Sequence, residues 1–361
     1  MRRPSPLPYL VCLATSFAGV AGAAPLAYVA NAFSNDVSVV DVATQRAVAT
    51  IAVGKNPIAV AAAPDGRRVY VANGNDNDVS VIDTASQSVV ATIATGASPD
   101  AAVVTPDGRR LLVANQAAAD VSVIDLATHA LVATVGVDVQ PLAIAISPDG
   151  ATAYVANGAR DSVSVIDVAS LSLVATVAVG RGPGGLAVSP DGSRVFVANW
   201  VDGTVSSIAT ATDTVDGTFP VATPRELAVS SDGSRLYVTQ APAGSVAVID
   251  TATLAAVGAI AGLARPFAIA LSKDGTRLAV ANQTGNTLSI FDAATNAPLA
   301  APVPVGKTPS AVLIVDPPVI AASAPAALPT LHGWALLAGV FVLVAAAAHA
   351  SRAQGRATRR G

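Results

Sequence analysis

Residues 57–96 read PIAVAAAPDGRRVYVANGNDNDVSVIDTASQSVVATIATG. The stretch contains four short apolar runs, each closed by turn residues such as glycine, asparagine and aspartate. Its Asp-Gly turn recurs at Asp65-Gly66, Asp107-Gly108, Asp149-Gly150, Asp191-Gly192, Asp232-Gly233 and Asp274-Gly275. Neighbouring turns are 42 residues apart, with one step of 41. A fixed period of this length with four strands per unit predicts the blades of a β-propeller.

The four runs of each unit differ in composition. The first is rich in alanine, a poor strand former, and crowding of innermost strands around a central axis accounts for this choice. The second run ends in asparagine and the third in aspartate, and we expect both side chains to form Asx-type caps. All runs are apolar at nearly every position. This pattern predicts sheets that are buried on both faces between neighbouring sheets.

Counting the runs gives the number of blades. Seven second runs begin near residues 27, 69, 111, 153, 195, 236 and 278, and seven first runs begin near residues 57, 99, 141, 183, 224, 266 and 309. The N-terminal part therefore supplies three strands of a blade whose innermost strand, residues 309–315, comes from the C-terminal part. We predict an all-β, seven-bladed propeller of four-stranded blades over residues 24–316. Its N-terminal strands pair with the C-terminal innermost strand, which removes exposed strand edges.

Short repeated phrases resemble a known family. Tyr-Val-Ala-Asn (28–31, 70–73, 154–157), Val-Ser-Val-Ile-Asp (79–83, 121–125, 163–167) and Ser-Pro-Asp-Gly (147–150, 189–192) are similar to the YVTN-type β-propeller repeat. The resemblance covers about residues 26–315 and implies a propeller. Some lactonases are built from similar repeats, and single-stranded DNA binding is attributed to some YVTN-type proteins. The resemblance therefore leaves several functions open.

The N-terminal residues 1–23 have the pattern of a signal peptide. Arg2 and Arg3 precede a moderately apolar stretch at 7–20, and Ala21-Gly22-Ala23 offers a cleavage site of small residues. The alternative of a transmembrane anchor fits less well, because the stretch is short and interrupted. The only cysteine, Cys12, lies in this segment, so the rest of the chain has no disulfide or thiolate chemistry.

The C-terminal residues resemble a sorting signal. After a Pro/Ala-rich linker at 317–327, residues 328–361 contain a short motif, an apolar run and an arginine-rich tail, which together are similar to the IPTL-type signal of Gram-negative bacteria. The motif residues are Leu328, Pro329, Thr330, Leu331 and Trp334. The resemblance implies an exosortase-like processing protease and transient anchoring in the inner membrane by a C-terminal helix. The alternative is a permanent single-span anchor. Both interpretations predict export, with the propeller in the periplasm, at the cell surface or outside the cell.

Composition excludes several kinds of chemistry. The formal charge of −3 falls to about −9 when the six arginines of the two terminal segments are left out, which disfavours nucleic-acid binding. The propeller contains one histidine, His129, which we expect near the start of an outer strand and far from the axis. We therefore predict no catalytic triad, no metal site and no cofactor. The polar turn at 73–78 lacks the spacing of a calcium-binding loop.

The loops that precede the innermost strands are expected to gather around one mouth of the channel. Five of the seven carry a cation: Lys55, Arg181, Arg225, Arg265 and Lys307. The other two carry Asp100 and Asp138. A cationic mouth would suit a small anion or an acidic partner. The alternative is that solvated loops beside a proline commonly carry lysine or arginine.

One unit departs from the repeat. Residues 183–220 have Ala209 where the others have aspartate, are one residue shorter, and carry Trp200, the only tryptophan of the propeller. Local departures from a strong pattern mark either function or sequence drift. On the first interpretation, Trp200, Arg225 and Glu226 form a contact site.

These observations predict a non-enzymatic binding or scaffold protein. Its partner would be a protein, a glycan or a small anionic ligand at the loop-lined mouth. The alternative function is a propeller hydrolase of the lactonase type. Single-stranded DNA binding fits less well, since the chain is acidic and poor in aromatic residues.

Overall fold

The computed structural model describes residues 24–316, which form 28 β-strands and no helix. The strands are β1 Leu26–Asn31, β2 Asp36–Asp41, β3 Arg46–Ala52, β4 Pro57–Ala62, β5 Arg68–Asn73, β6 Asp78–Asp83, β7 Ser88–Ala94, β8 Pro99–Val104, β9 Arg110–Asn115, β10 Asp120–Asp125, β11 Ala130–Gly136, β12 Pro141–Ile146, β13 Thr152–Asn157, β14 Ser162–Asp167, β15 Ser172–Ala178, β16 Pro183–Val188, β17 Arg194–Asn199, β18 Thr204–Ala209, β19 Thr214–Pro220, β20 Pro224–Val229, β21 Arg235–Gln240, β22 Ser245–Asp250, β23 Ala256–Ile260, β24 Pro266–Leu271, β25 Arg277–Asn282, β26 Thr287–Asp292, β27 Val303–Pro304 and β28 Pro309–Val315.

The strands form seven four-stranded antiparallel sheets, which are the blades of a propeller. From the axis outward, blade 1 is β28-β1-β2-β3, and blades 2 to 7 take β4–β7, β8–β11, β12–β15, β16–β19, β20–β23 and β24–β27 in order. The innermost strands contact one another in cyclic order, and β28 contacts β4. The predicted seven-bladed, all-β fold is confirmed.

Blade 1 closes the ring. Strand β1 pairs with β28 in antiparallel register, with Leu26 opposite Val315 and Tyr28 opposite Leu313. The predicted pairing of the N-terminal strands with the C-terminal innermost strand is therefore also confirmed. This pairing matters because a ring without it would expose unpaired backbone groups on two strands.

The hydrophobic core is divided into seven clusters, one at each junction between neighbouring blades. The second and third strands of each blade are buried almost throughout; in β6, for example, Val79, Val81 and Ile82 have no exposed surface. Burial of both sheet faces explains why these strands are apolar at consecutive positions. The outer strands are exposed at most positions.

Turn chemistry repeats as the sequence predicts. Gly66 has a φ of 69°, and the five equivalent glycines also have positive φ values. Asp65 accepts a hydrogen bond from the backbone N–H of Arg67 at 3.0 Å. At the end of the third strand, Asp83 accepts one from the N–H of Ser86 at 2.7 Å. Both aspartates thus cap turns that are needed to repeat the blade.

The asparagines at the ends of the second strands have a different role from the one expected. Asn73 is fully buried, and its side-chain amide donates hydrogen bonds to Asp78 at 2.7 Å and to Ser80 at 2.9 Å. The same bond to the third strand is made by the other members of the set: Asn31, Asn115, Asn157, Asn199 and Asn282. The prediction of Asx-type caps was wrong for these residues. Because they lie between two packed blades, they link adjacent strands instead.

The predicted signal peptide (1–23), the linker (317–327) and the sorting segment (328–361) lie outside the described residues. Within residues 24–316, no helix is long and apolar enough to cross a membrane.

Candidate functional site

A cavity of about 560 Å³ opens at one mouth of the central channel. Its wall is formed mainly by small and aliphatic side chains of the innermost strands, including Ala59, Ala143, Ile144, Leu186 and Ile269. Loop residues such as Phe33 and Trp200 surround the opening. The cavity falls in the size range of small-molecule sites, which is roughly 300–1,000 Å³.

One position of the repeat forms a ring around this cavity. Each innermost strand begins with a proline, and the residue after the proline lines the cavity in all seven blades. We call this set the mouth ring; it consists of Ile58, Asp100, Leu142, Gly184, Arg225, Phe267 and Ser310. Asp100 of blade 3 and Arg225 of blade 6 are its charged members. Blades 4 and 5 separate them on one side and blades 7, 1 and 2 on the other, so they lie on opposite sides of the ring.

The guanidinium group of Arg225 is held by two aromatic rings. Its Cζ lies 5.6 Å from the centroid of the Trp200 ring and 4.9 Å from that of Phe267. No group within residues 24–316 accepts a hydrogen bond from it by the usual geometric criteria. Burial lowers the pKa of Arg225, and the nearby charge of Arg265 acts in the same direction. Arginine nevertheless stays charged, so its N–H donors are available to an acceptor in the cavity.

Glu226 follows Arg225 in blade 6 and is the only glutamate of the chain. The equivalent residue in every other blade is alanine or glycine: Ala59, Ala101, Ala143, Gly185, Ala268 and Ala311. Glu226 keeps some surface in the channel, but protein surrounds its carboxyl group and excludes bulk water from most of its hydration shell. This burial raises the pKa of Glu226 to about 7, although the Leu227 N–H and the Arg225 charge act against it.

Asp100 is in a similar environment. Burial raises the pKa of Asp100 to about 6, and the opposing effect comes from the charge of Arg225. Asp100 also contributes to the raised pKa of Glu226 through like-charge repulsion. The cavity therefore holds one buried cation and two carboxyl groups that are both costly to ionise.

Blade 6 accommodates its larger residues through changes in two neighbouring strands. A Cβ atom at Gly185 of blade 5 would lie 2.2 Å from the carbonyl oxygen of Arg225, so only glycine fits there. In the second strand of blade 6, Thr239 replaces the alanine found in the other blades. Its hydroxyl accepts a hydrogen bond from the N–H of Glu226 at 3.0 Å and donates one to the carbonyl of Phe267 at 3.0 Å.

Trp200 packs over the glycines on either side of Pro183. Gly182 has a φ of +67°, and a Cβ atom there would lie 2.8 Å from the indole Nε1. A Cβ atom at Gly184 would lie 3.7 Å from the indole Cδ1, an ordinary contact. The side chain keeps 44% of its surface exposed and lines the cavity. It can therefore contact a ligand while it supports Arg225.

The seven residues predicted for the mouth fall into two groups. Trp200, Arg225 and Glu226 line the cavity. The other four lie on exposed loops and do not line it: Lys55, Arg181, Arg265 and Lys307. They precede the proline of the innermost strand, where the chain has not yet turned into the channel, whereas Arg225 follows it.

Two of the loop cations are paired with acidic groups of neighbouring loops. The ammonium group of Lys55 lies 3.8 Å from Asp76, and the Nε of Arg181 lies 2.6 Å from Asp202. These pairs reduce the positive charge that the sequence predicts at the mouth. The residues 24–316 contain no group of three or more histidine, cysteine, aspartate or glutamate residues that could hold a metal ion.

Sequence reasoning left Asp100, Phe267 and Thr239 out of the site. Asp100 and Phe267 directly follow a proline, as Arg225 does, so the mouth ring could have been found by aligning the repeats on that proline. Thr239 changes the repeated Tyr-Val-Ala-Asn into Tyr-Val-Thr-Gln at 237–240. This departure from the repeat lies in blade 6, the blade that also carries Arg225 and Glu226.

Comparison with protein families agrees with the architecture. The family model for the YNCE-like beta-propeller matches residues 86–190, and that for "Lactonase, 7-bladed beta-propeller" matches residues 21–132. The chain is a seven-bladed β-propeller. The lactonase match includes Asp100 of this propeller and ends before Arg225 and Glu226. None of the curated proteins matches the chain.

Solved structures share the fold. Hydrazine synthase of Kuenenia stuttgartiensis is 25% identical, with a TM-score of 0.67 over 71% of this chain and 89% of that chain. A functionally unknown protein from Desulfotomaculum acetoxidans DSM 771 is 20% identical, with a TM-score of 0.72 over 81% of this chain and 99% of that chain. Because the second structure is only 20% identical, its similarity shows the fold alone.

Proposed function

We propose that this propeller is a binding protein that holds a small ligand in the mouth cavity through an anionic group on Arg225. The observation that carries the proposal is the guanidinium of Arg225, which is half-buried against Trp200 and Phe267 and has no protein acceptor within residues 24–316. A desolvated cation without a hydrogen-bond partner is costly unless a ligand supplies one.

The site has the features of a preorganised anion receptor. The two aromatic rings lie close to the guanidinium and restrict its movement, so little side-chain entropy is lost when it binds a carboxylate or a similar group. Hydrogen bonds to charged groups contribute about 1.5–3 kcal/mol each. The concave shape of the cavity favours a small molecule over a protein or glycan surface, which would contact only the rim and the exposed ring of Phe33.

The test is binding of small carboxylates to the wild type and to Arg225→Gln, measured by isothermal titration calorimetry against the matching neutral amides. Arg160→Gln is the control, because Arg160 is exposed and does not line the cavity. We expect Arg225→Gln to lose most of the affinity and Arg160→Gln to keep it. Equal binding by the wild type and Arg225→Gln would remove this site from consideration.

A second candidate function is hydrolysis of a lactone. The lactonase family match and a carboxyl group with a pKa near neutrality support it, because Glu226 could act as a general base beside the cation of Arg225. The test is turnover of a panel of sugar and acyl lactones by the wild type, by Glu226→Gln and in the presence of a chelator. Hydrolysis that is lost in Glu226→Gln would favour the enzyme over the binding protein, and loss with chelator would add a metal.

We also propose that the propeller acts outside the inner membrane. The residues that support this proposal are the leader at 1–23 and the motif that begins at Leu328. Intact-mass measurement of the protein from its native host tests both ends. Retention of both segments on a protein in the cytoplasm would contradict it.

A further inference from the structure

We propose that the ligand of the mouth cavity is a small zwitterion that lies across the channel, with its anionic group on Arg225 of blade 6 and its ammonium group at Asp100 of blade 3. This inference rests on the proposed function for the anionic contact and adds the second, cationic contact and its residues.

The first supporting observation is the arrangement of charge in the mouth ring. Arg225 and Asp100 lie on opposite sides of the ring, and the other five members are uncharged. A ligand that reaches Arg225 through the channel opening therefore faces a carboxylate on the other side. The wall between the charged groups is formed largely by alanine and aliphatic side chains, such as Leu142 and Ile269. The site thus has a cationic end, an acidic end and an apolar middle.

The second observation is the excess of carboxyl groups. Neither Asp100 nor Glu226 forms a salt bridge within residues 24–316 at 4.0 Å or less. Their charges repel each other, and the one cation that acts on both, Arg225, is the group assigned to the anion. A ligand ammonium group beside Asp100 would give one desolvated carboxylate a partner, and its positive charge would also offset the repulsion between Asp100 and Glu226.

Charge balance distinguishes a zwitterion from a simple anion. When both carboxyl groups are ionised, the cavity carries one positive and two negative groups. A plain carboxylate would add a third negative charge in a region from which water is mostly excluded. A zwitterion adds no net charge and offers each end of the site its opposite. The chemistry at the site therefore favours amino-acid-like ligands, with the spacing between their charges set by the width of the channel.

The blade 6 residues that hold Glu226 support a role beyond packing. The only glutamate of the chain lies where every other blade has alanine or glycine, and Gly185 and Thr239 accommodate its backbone. An alanine would fill this position without a desolvation cost, as it does in blade 2. Retaining a carboxyl group here has a physical reason if its negative charge favours a ligand that carries a cation into the channel.

The experiment uses the full chain and a graded series of ω-amino acids from glycine to 6-aminohexanoate. Each is compared with the carboxylic acid that lacks its amine and with the alkylamine that lacks its carboxylate, by titration calorimetry at pH 8. We expect one member to bind at least about tenfold more tightly than both its acid and its amine, since each charged contact is worth that much or more.

Substitutions of the two carboxyl groups test the interaction with the ligand's ammonium group. Asp100→Asn is expected to reduce the preference for the zwitterion over its acid by about tenfold, and Glu226→Gln to reduce it in the same sense. The matched control is Asp213→Asn. Asp213 is a half-buried turn residue that does not line the cavity, and its φ of 50° suits asparagine. Circular dichroism and thermal melts verify that each variant is folded.

The outcomes separate the two proposals. If acids bind as tightly as zwitterions and Asp100→Asn changes nothing, the zwitterion is wrong and the anion-binding site stands. If Arg225→Gln binds the series as the wild type does, both proposals fail. If the amines alone bind as tightly as the zwitterions, the anionic contact is wrong, and with it both proposals.

Discussion

Blades 2 and 6 have the same strand order but different inner surfaces. In blade 2 the innermost strand begins Pro57-Ile58-Ala59, and Ala59 pairs directly with Ala72 of the next strand. In blade 6 it begins Pro224-Arg225-Glu226, and backbone pairing with β21 resumes only at Leu227. The second and third strands pair in the same register in both blades. The comparison shows that the repeated residues are enough to form the ring. The two positions after the first proline of an innermost strand can vary, and in blade 6 they contribute a candidate site.

The largest effect is expected from Gly185→Ala, which gives blade 5 the alanine that the other regular blades carry at this position. The added Cβ would meet the carbonyl oxygen of Arg225 at 2.2 Å, and a backbone atom cannot move aside cheaply. We expect the free energy of unfolding to fall by about 2–3 kcal/mol. Gly184→Ala is the matched control, because its Cβ would have only ordinary contacts. Urea unfolding measures both, and equal stabilities would show that blade 6 does not depend on this close approach.

The pH dependence of stability should differ between the wild type and Glu226→Gln. The folded pKa of Glu226 is about 7, above the value of 4.5 for a free glutamate, so the folded state binds the proton more tightly. Stability should therefore fall as pH rises from about 4.5 to about 7 and then level off. Asp100, with a pKa of about 6, acts in the same direction, while Arg225 opposes both.

Between low and high pH, we expect the free energy of unfolding of Glu226→Gln to fall by about 2 kcal/mol less than that of the wild type. This figure allows for screening by water in the channel. Urea unfolding at pH 5 and pH 8 measures it. Asp191 and Asp232, whose pKa values are lowered to about 2 by hydrogen bonds from serines, lose their stabilising effect only below about pH 4, outside this window. A variant with the same pH dependence as the wild type would contradict the assignment to Glu226.

Thr239→Ala makes the second strand of blade 6 more like the others and should have a moderate effect. It removes the hydroxyl that joins the Glu226 N–H to the Phe267 carbonyl. Since both backbone groups are left without this partner, we expect a loss of about 1–2 kcal/mol. Thr239→Ser keeps the hydroxyl and should retain most of the stability in the same thermal or urea melts. Similar losses in both variants would point to packing of the methyl group instead.

The smallest effect is expected from Arg181→Gln. Arg181 is a loop cation that precedes Pro183, the first residue of β16. Its partner Asp202 is close, but the arginine side chain is 67% exposed, and surface ion pairs contribute little. We expect no measurable change in stability and unchanged binding of the carboxylate probes. A marked loss of binding would extend the site from the cavity to the rim.

The fold was predictable because its determinants are local and repeated. The Asp65-Gly66 turn and its five copies set the period, and counting first and second runs gave both the seven blades and the pairing of β1 with β28. The role of Asn73 was not predictable in the same way. Whether an asparagine caps its own turn or links two strands depends on burial between neighbouring blades, which a single unit does not reveal.

The candidate site was only partly predictable. Trp200, Arg225 and Glu226 attract attention because they interrupt a regular pattern. Asp100 was noted only as a loop residue, and Phe267 looks like an ordinary core residue. Their significance depends on which side chains face the channel when seven strands converge, a property of the closed ring. The same geometry separates Arg225 from Lys55 and Lys307, which resemble it in sequence but lie before the proline.

The pairing of β1 with β28 also determines where the chain enters and leaves the propeller. Leu26 and Val315 are neighbours at the ends of these strands, whereas Asn31 and Pro309, at the other ends, lie beside the cavity. The two ends of the described propeller, near Leu26 and Val315, thus lie side by side on the face away from the mouth. A fusion partner, a purification resin or a sensor surface joined directly to either end of residues 24–316 will start from that face, so propeller immobilised in this way should keep its cavity open to solution.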